Sequence, residues 1–267
     1  LGQLDYVVDG KTLFPTDYSY RPGISTPIRD HLDLITQEII KLVNLQPKSL
    51  CVDVGSNDGT LLSFFKERGM LVQGVEPTNM AKVARKENKV KTIQEFFTED
   101  VAKQIVKENG KAKVVTFTNV FAHMAPLGEV MRGVSRLLDK DGIFMSESQY
   151  LFDVFEGNQF DQIYHDHVRI YSLKSLVKLL EYYGMEVFEA QRLEGREGSI
   201  RIHAGWKGQH KVNPDVKKLL ALEVEAGLFK ESGWENFRKG VERARDEFLE
   251  LAYKAKKDGK KLVADSC

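Results

Sequence analysis

The sequence predicts an α/β protein built on a doubly wound, seven-stranded, mostly parallel sheet, with an antiparallel last strand and a C-terminal helical extension. Three observations predict it. Five short apolar runs alternate with helical patterns between residues 49 and 147. The turn Gly55-Ser56-Asn57-Asp58-Gly59 joins the first run to the first helix of that series. Beyond Gly184, two β-rich runs are separated by a short loop, the pattern of an antiparallel pair.

Residues 1–24 carry turn signals at Asp9-Gly10 and Pro22-Gly23 and read as a hairpin and loop. Thr26 is the expected N-cap of a helix with Pro27 at its first position and Ile28, Leu32, Ile35, Ile39 and Leu42 along one face. The apolar runs are Ser49–Val54, Leu71–Val75, Val90–Ile93, Val114–Thr118 and Gly142–Ser146. Helices are expected between them near 59–68, 78–88, 98–109 and 126–138, which makes right-handed crossovers. An aromatic-rich loop then runs to Tyr171, and Ser172 caps a helix that Gly184 ends. Met185–Leu193 and Ser199–Ala204 are the antiparallel strands, joined by a tight Glu194–Gly198 loop. The stretch 212–257 is helical. Phe237, Val241, Ala244, Phe248, Leu251 and Ala255 form an apolar stripe expected to pack, and the Lys-rich end is a solvated face. Leu262–Asp265 reads as a further strand. The expected division is a segment 1–24, a sheet domain 25–210 and an extension 211–267 that begins another domain. A chain that opens on Leu1 and stops in a strand-like segment reads as a piece of something longer.

Composition narrows the function. Lys plus Arg and Asp plus Glu are 39 each, so no bulk positive charge draws this 267-residue chain to nucleic acid. No apolar run approaches the roughly 18 residues of a membrane span, and no secretory leader is visible. The two cysteines, Cys51 and Cys267, exclude a disulfide scaffold and a cysteine-rich zinc site, so a cytoplasmic location is expected. Oligomeric state is left open.

Ligands of an open parallel sheet bind beyond the carboxyl ends of its strands. There Gly55 and Gly59 allow close backbone approach, and Asp53 places an acid at the strand end. A dinucleotide fingerprint wants three glycines and a helix terminus clear for pyrophosphate; Asn57 and Asp58 spoil both. The second run ends in Glu76-Pro77, 21 residues after Gly55, where a carboxylate can accept both ribose hydroxyls. A ribose site that avoids phosphate and welcomes positive charge fits S-adenosylmethionine. Candidate cofactor residues are therefore Asp53, Gly55, Ser56, Asn57, Asp58, Gly59, Glu76 and Pro77. Glu95 and Phe96 follow the third run, although Phe96 and Phe97 serve equally well as core. Asn119 follows the fourth run and either lines the cleft or caps a turn.

Three motifs then coincide: Tyr18-x-Tyr20-Arg21-x-Gly23, the Gly55–Gly59 turn, and Phe160-Asp161-Gln162-Ile163-Tyr164-His165-Asp166-His167 before Tyr171-Ser172. Together they resemble the nucleotide-sugar C-methyltransferases, which methylate a deoxysugar at the carbon next to a 4-keto group. The resemblance covers about residues 12–260. It implies a Rossmann-like methyltransferase sheet, S-adenosylmethionine as donor and a nucleotide-linked sugar as substrate. It also implies catalysis by Tyr164, Asp166 and His167 with His123, and substrate contacts from Tyr18, Tyr20, Arg21, Ser199 and Arg201; Glu147, after the fifth run, is grouped with these. Asp166 stands where the family usually has Glu, and Arg196-Glu197-Gly198 where His-Gly-Gly is common. The family's N-terminal four-cysteine zinc module and C-terminal α/β domain are not among these residues, and 259–266 resembles the first strand of that domain.

The residues permit this chemistry. A proton α to a ketone is removed by a placed base when the enolate oxygen is stabilised. His167 is the expected base, and Tyr164 or His123 the donor to the enolate oxygen. In an extended loop, Asp166 points away from His167 and towards a sugar hydroxyl. His165 and His167 with Asp161 form an alternative metal set, but the chemistry needs no metal and none is assigned. Two other functions stay open: methylation at oxygen or nitrogen of another small molecule, and a non-catalytic module that binds cofactor or sugar nucleotide.

Overall fold

The computed structural model describes residues 1–193 and 198–263. In chain order it contains β1 (Gly2–Gln3), α1 (Gly10–Leu13), α2 (Thr26–Leu42), β2 (Leu50–Val54), α3 (Thr60–Glu67), β3 (Leu71–Val75) and α4 (Met80–Lys86). Next come β4 (Thr92–Ile93), α5 (Glu99–Asn109), β5 (Ala112–Thr118), α6 (Leu127–Leu137) and β6 (Leu138–Gln149). The chain continues through α7 (Leu151–Glu156), β7 (Arg169–Ile170), α8 (Leu173–Tyr182), β8 (Met185–Leu193), β9 (Ser199–Trp206), α9 (Pro214–Glu225) and α10 (Glu231–Lys257).

Seven of these strands form one sheet in the order β4-β3-β2-β5-β6-β9-β8. The pairings among β2 to β6 are parallel, and β9 runs antiparallel to both β6 and β8. The last strand in the chain is thus the reversed one, and it lies inside the sheet rather than at its edge. The sheet order reverses between β2 and β5, so the crevice above their carboxyl ends is the expected ligand position.

Local chemistry explains the elements. All five residues of β2 are buried, as a strand covered on both faces requires. Thr98 caps α5 by accepting from the Val101 N–H at 3.2 Å. Ser172 and Ser175 exchange side-chain-to-backbone bonds in a capping box at the start of α8. The buried Glu223 carboxylate on α9 accepts from the Lys174 N–H at 3.1 Å and the Tyr150 hydroxyl at 2.9 Å, tying α9 to that same helix end.

Two cores sandwich the sheet. On one face Phe97, Phe117, Phe121, Phe144 and Tyr171 pack with α5, α6 and α8. On the other, Cys51, Val114, Ile143 and Met145 lie beneath Ile35, Ile39, Leu62 and Phe65 of α2 and α3. Side chains alternate along a strand, so Asp53, Thr116 and Glu147 fall on this second face, nearer the carboxyl ends.

Several expectations are corrected. Residues 1–24 do not form a hairpin. Gly2–Gln3 pairs antiparallel with Arg169–Ile170, and Asp9 caps the one-turn α1 by accepting from the Lys11 N–H at 2.8 Å. The Asp9-Gly10 signal therefore starts a helix, because an aspartate satisfies a free helical N–H as readily as it makes a turn. The cap position of α2 falls to Ser25, with no side-chain bond. Phe237 and Trp234 pack on Phe155, but Phe248 and Leu251 of the same stripe are 67% and 65% exposed. An apolar stripe specifies a face; it does not guarantee that a neighbour covers it. Leu262 and Val263 are exposed and form no strand, while Ala264 and Asp265 of that expected strand, and Glu194 to Glu197 of the hairpin loop, lie outside the described residues. Among the described residues, no helix is long and apolar enough to cross a membrane.

Candidate active site

The turn after β2 is locked to β3: the N–H groups of Gly55 and Ser56 both donate to the Val75 carbonyl, at 2.8 and 3.1 Å. Gly55 has φ +70°, and a Cβ there would lie 2.4 Å from Val120 Cγ2, so only glycine fits. Beside it, Asp53 is buried and accepts from the Thr116 hydroxyl at 2.7 Å. Burial pushes its carboxyl up to about 7; the Thr116 bond opposes this and nearby Glu76 adds to it. Glu76 is also buried. Its Oε1 accepts from the Thr78 N–H at 2.9 Å and hydroxyl at 2.6 Å, and its Oε2 from the Asn57 N–H at 3.0 Å. Oε2 keeps acceptor capacity for one more donor.

The N-terminal segment straps across this rim. The Thr16 carbonyl accepts from the Asn79 N–H at 2.8 Å, and the Tyr20 carbonyl from Asn57 Nδ2 at 3.0 Å. Asp58, expected at the cofactor, instead anchors the strap. It accepts from the Gly23 N–H at 3.1 Å and the Thr60 hydroxyl at 2.7 Å, with Arg21 at 3.7 Å. Arg21, expected at the substrate, pairs with Glu87 at 2.6 Å. Two of the Asp58 partners come from the strap, 35 and 37 positions away, which the linear motif does not show. Ser56 is likewise tucked towards β3, where a Cβ on Gly74 would lie 2.5 Å from its hydroxyl.

The remaining rim positions separate. Phe97 is core, in edge contact with Phe117, whereas Phe96 is partly exposed beside Gly10 of α1. Pro77 is half-buried and Glu95 exposed. Asn119 is exposed at φ +54°, with its N–H on the Glu147 carbonyl at 2.8 Å. Tyr18 is half-buried between the two halves of the site. Burial, then Asp166, Tyr20 and Glu76, raise its hydroxyl pKa, so its oxygen lies near acids of both the sheet rim and the loop that follows α7. Tyr20 is exposed, with its ring 6.5 Å from that of Tyr18.

That loop meets the turn after β5. His123 Nδ1 lies 2.6 Å from the Asp166 carbonyl, and His167 Nδ1 lies 3.3 Å from the Gln162 carbonyl. A carbonyl only accepts, so both rings carry their proton on Nδ1 and present Nε2 as a base. The two rings are 5.1 Å apart, and His167 Nε2 lies 3.4 Å from the Tyr164 hydroxyl. Burial and then His123 lower the His167 pKa, outweighing the Gln162 carbonyl and Asp166, so the ring is uncharged at neutral pH. The Asp166 carboxylate turns away to His165 at 3.1 Å. Among the described residues, no three His, Cys, Asp or Glu side chains are grouped to hold a metal.

Glu147 and Arg201, both expected at the substrate, are instead buried against each other at 2.7 Å. His31 joins Glu147 at 2.6 Å, and Glu38 pairs with Arg201. Ser199 lies at the buried end of β9, opposite Gln149. His31 and Glu38 were missed because an isolated helical histidine and glutamate look like surface residues. Their separation of seven, two helical turns, was the available signal. Thr116 was missed because only the β2–β5 register puts it opposite Asp53.

Comparisons with known proteins agree with this geometry. Residues 29–190 match the family model for a methyltransferase domain, and residues 194–266 that for a C-methyltransferase C-terminal domain. The chain is 34% identical over 262 residues to the C-methyltransferase NovU of Streptomyces niveus. The chain belongs to the methyltransferase-domain family. The chain aligns over 97% of its own length and spans 62% of that relative. Its fold is shared by the PH0226 protein of Pyrococcus horikoshii OT3 (TM-score 0.56, 16% identity, 74% of this chain and 98% of that one). It is also shared by an S-adenosylmethionine-dependent methyltransferase of Clostridium acetobutylicum (TM-score 0.53, 12% identity, 67% and 92%). Fold and family together support S-adenosylmethionine as the cofactor of this methyltransferase.

Proposed function

We propose that this protein transfers a methyl group from S-adenosylmethionine to a sugar carbon next to the ketone of a nucleotide-linked 4-keto-deoxysugar, in the cytoplasm. One observation carries the reading: a neutral, half-buried His167 whose bare Nε2 faces a tyrosine hydroxyl beside the rim. His167 Nε2 takes the proton α to the ketone, and the Tyr164 hydroxyl donates to the enolate oxygen as charge develops there; His123, whose Nδ1 proton is held by the Asp166 carbonyl, has none to give. The methyl sulfonium supplies the electrophile when bound. Glu76 Oε2 holds the ribose, Gly55 admits the nucleoside against the backbone, and ionised Asp53 favours the cationic end of the cofactor. Tyr18 and Tyr20 close the substrate side. The deciding assay mixes protein, S-adenosylmethionine and a panel of nucleotide-linked 4-keto-deoxysugars and locates the new methyl by NMR. A carbon-bound methyl supports the reading. A methyl on oxygen or nitrogen, or binding without turnover, overturns it.

Two outcomes follow from the cofactor residues. Glu76→Ala should weaken S-adenosylhomocysteine binding by about tenfold to a hundredfold, the loss of one or two hydrogen bonds to a charged group. Calorimetry checks this; a change within twofold removes Glu76 from the ribose. Asp53, with its carboxyl near 7, is protonated in about half of the free molecules at neutral pH. A cation binds its ionised form better, so S-adenosylmethionine affinity should rise with pH across 6 to 8 and binding should release a proton. Calorimetry in buffers of different ionisation enthalpy reads that proton, and Asp53→Asn should abolish its release.

A further inference from the structure

Gln149 is the last residue of β6, and none of the sequence motifs includes it. It is 8% exposed, so its amide is a polar group almost wholly removed from water. Its Nε2 donates to Gln162 Oε1 at 2.8 Å. Neighbouring chemistry fixes which way both amides face. Gln162 Nε2 lies 3.4 Å from the Asp161 carboxylate, and the reverse orientation would set an oxygen against that charge. Gln162 Oε1 must therefore face Gln149, and Gln149 must answer with its NH2. The Gln162 carbonyl in turn is the group that His167 Nδ1 meets at 3.3 Å.

We propose that Gln149 is a positioning residue: its amide, seated on the rigid end of β6, holds Gln162 and thereby sets the tautomer and aim of the His167 ring. Gln149 sits on backbone paired to β9, opposite Ser199. Gln162 sits in the loop between α7 and β7, whose second tie is the His123 bond to the Asp166 carbonyl at 2.6 Å. Both ties precede His167 in sequence, at residues 162 and 166, the second immediately beside it. Without the first, the Gln162 carbonyl is free to swing, and the imidazole proton is free to move to Nε2. That tautomer has no lone pair to offer a substrate. This rests on His167 being the base, yet it makes a claim about the ring that needs no substrate.

The test uses the full chain labelled with 15N-histidine, with His167 assigned by comparison with His167→Asn. Long-range proton–nitrogen spectra of wild type should show one tautomer, protonated at Nδ1. Gln149→Leu and Gln162→Leu should each give a mixture of tautomers. Each should also lower kcat by about tenfold to a hundredfold, as a small misplacement of a catalytic group does, with cofactor affinity unchanged within twofold. The two substitutions cut one chain, so combining them should cost no more than either alone. An unchanged tautomer, an unchanged kcat or additive losses overturns the proposal. If Gln149→Leu does not fold, Gln162→Leu on the less buried side of the pair decides by the same spectra. A wild type that transfers no methyl counts against the sugar-methylation reading, while the spectra still decide the role of Gln149.

Discussion

His167→Asn is expected to lower the rate of methyl transfer by about a thousandfold, within the range that a placed general base contributes. Asparagine keeps an Nδ2–H for the Gln162 carbonyl but has no basic nitrogen where Nε2 stood. Binding of S-adenosylhomocysteine should stay within twofold, because the cofactor rim is built from β2, β3 and the strap. The sharper reading is solvent deuterium exchange at the sugar carbon next to the ketone, which isolates proton removal from methyl transfer. Wild type should wash the hydrogen out and the variant should not. Equal exchange in both would take His167 out of the mechanism. The pH profile carries the same claim: the His167 pKa is lowered, so the rate limb it governs should fall away only on the acid side of the usual histidine range near 6.5.

Arg201→Ala is expected to destabilise the protein by about 3–5 kcal/mol, the cost of taking the guanidinium from a buried carboxylate that then keeps only His31. Glu147 is fully buried, and burial alone would push its carboxyl up; the His31 bond, Arg201 and the His31 charge bring it below the usual value. A folded pKa below the unfolded one contributes stability that is present above about pH 4.5 and is lost as pH falls further. Urea unfolding at neutral pH, followed by Trp206 and Trp234 fluorescence, measures the loss. Glu147→Leu combined with Arg201→Met should recover much of it, since an apolar pair of similar volume avoids the desolvation cost. A loss below about 1 kcal/mol would mean that His31 or water is enough for Glu147 when Arg201 is gone. Because α2 carries His31 and Glu38 and follows directly on the strap, the network also bolts the strap's helix to β6 and β9.

The glycine pair, the acids that end the strands and the Tyr164–His167 motif were legible because each depends on local rules: backbone freedom, charge at a strand end, residue type in a loop. The pairing partners were not. Asp53 with Thr116, Glu147 with His31, and Gln149 with Gln162 join residues 63, 116 and 13 apart. The partners of Asp58 were hidden for the same reason. Its charge is met by Gly23 and Arg21, 35 and 37 positions away in a segment expected to be a hairpin.

By itself the sequence determined the alternation of strands and helices and the parallel sheet with its reversed strand, because period, capping and glycine conformation act over a few residues. The tertiary structure alone decided that the first 24 residues strap the rim, that Glu147 and Arg201 satisfy each other beneath it, and that His167 is held neutral with Nε2 bare. Those outcomes depend on which buried polar groups meet across the sheet, and strand register and helix packing settle that only when the whole chain is folded.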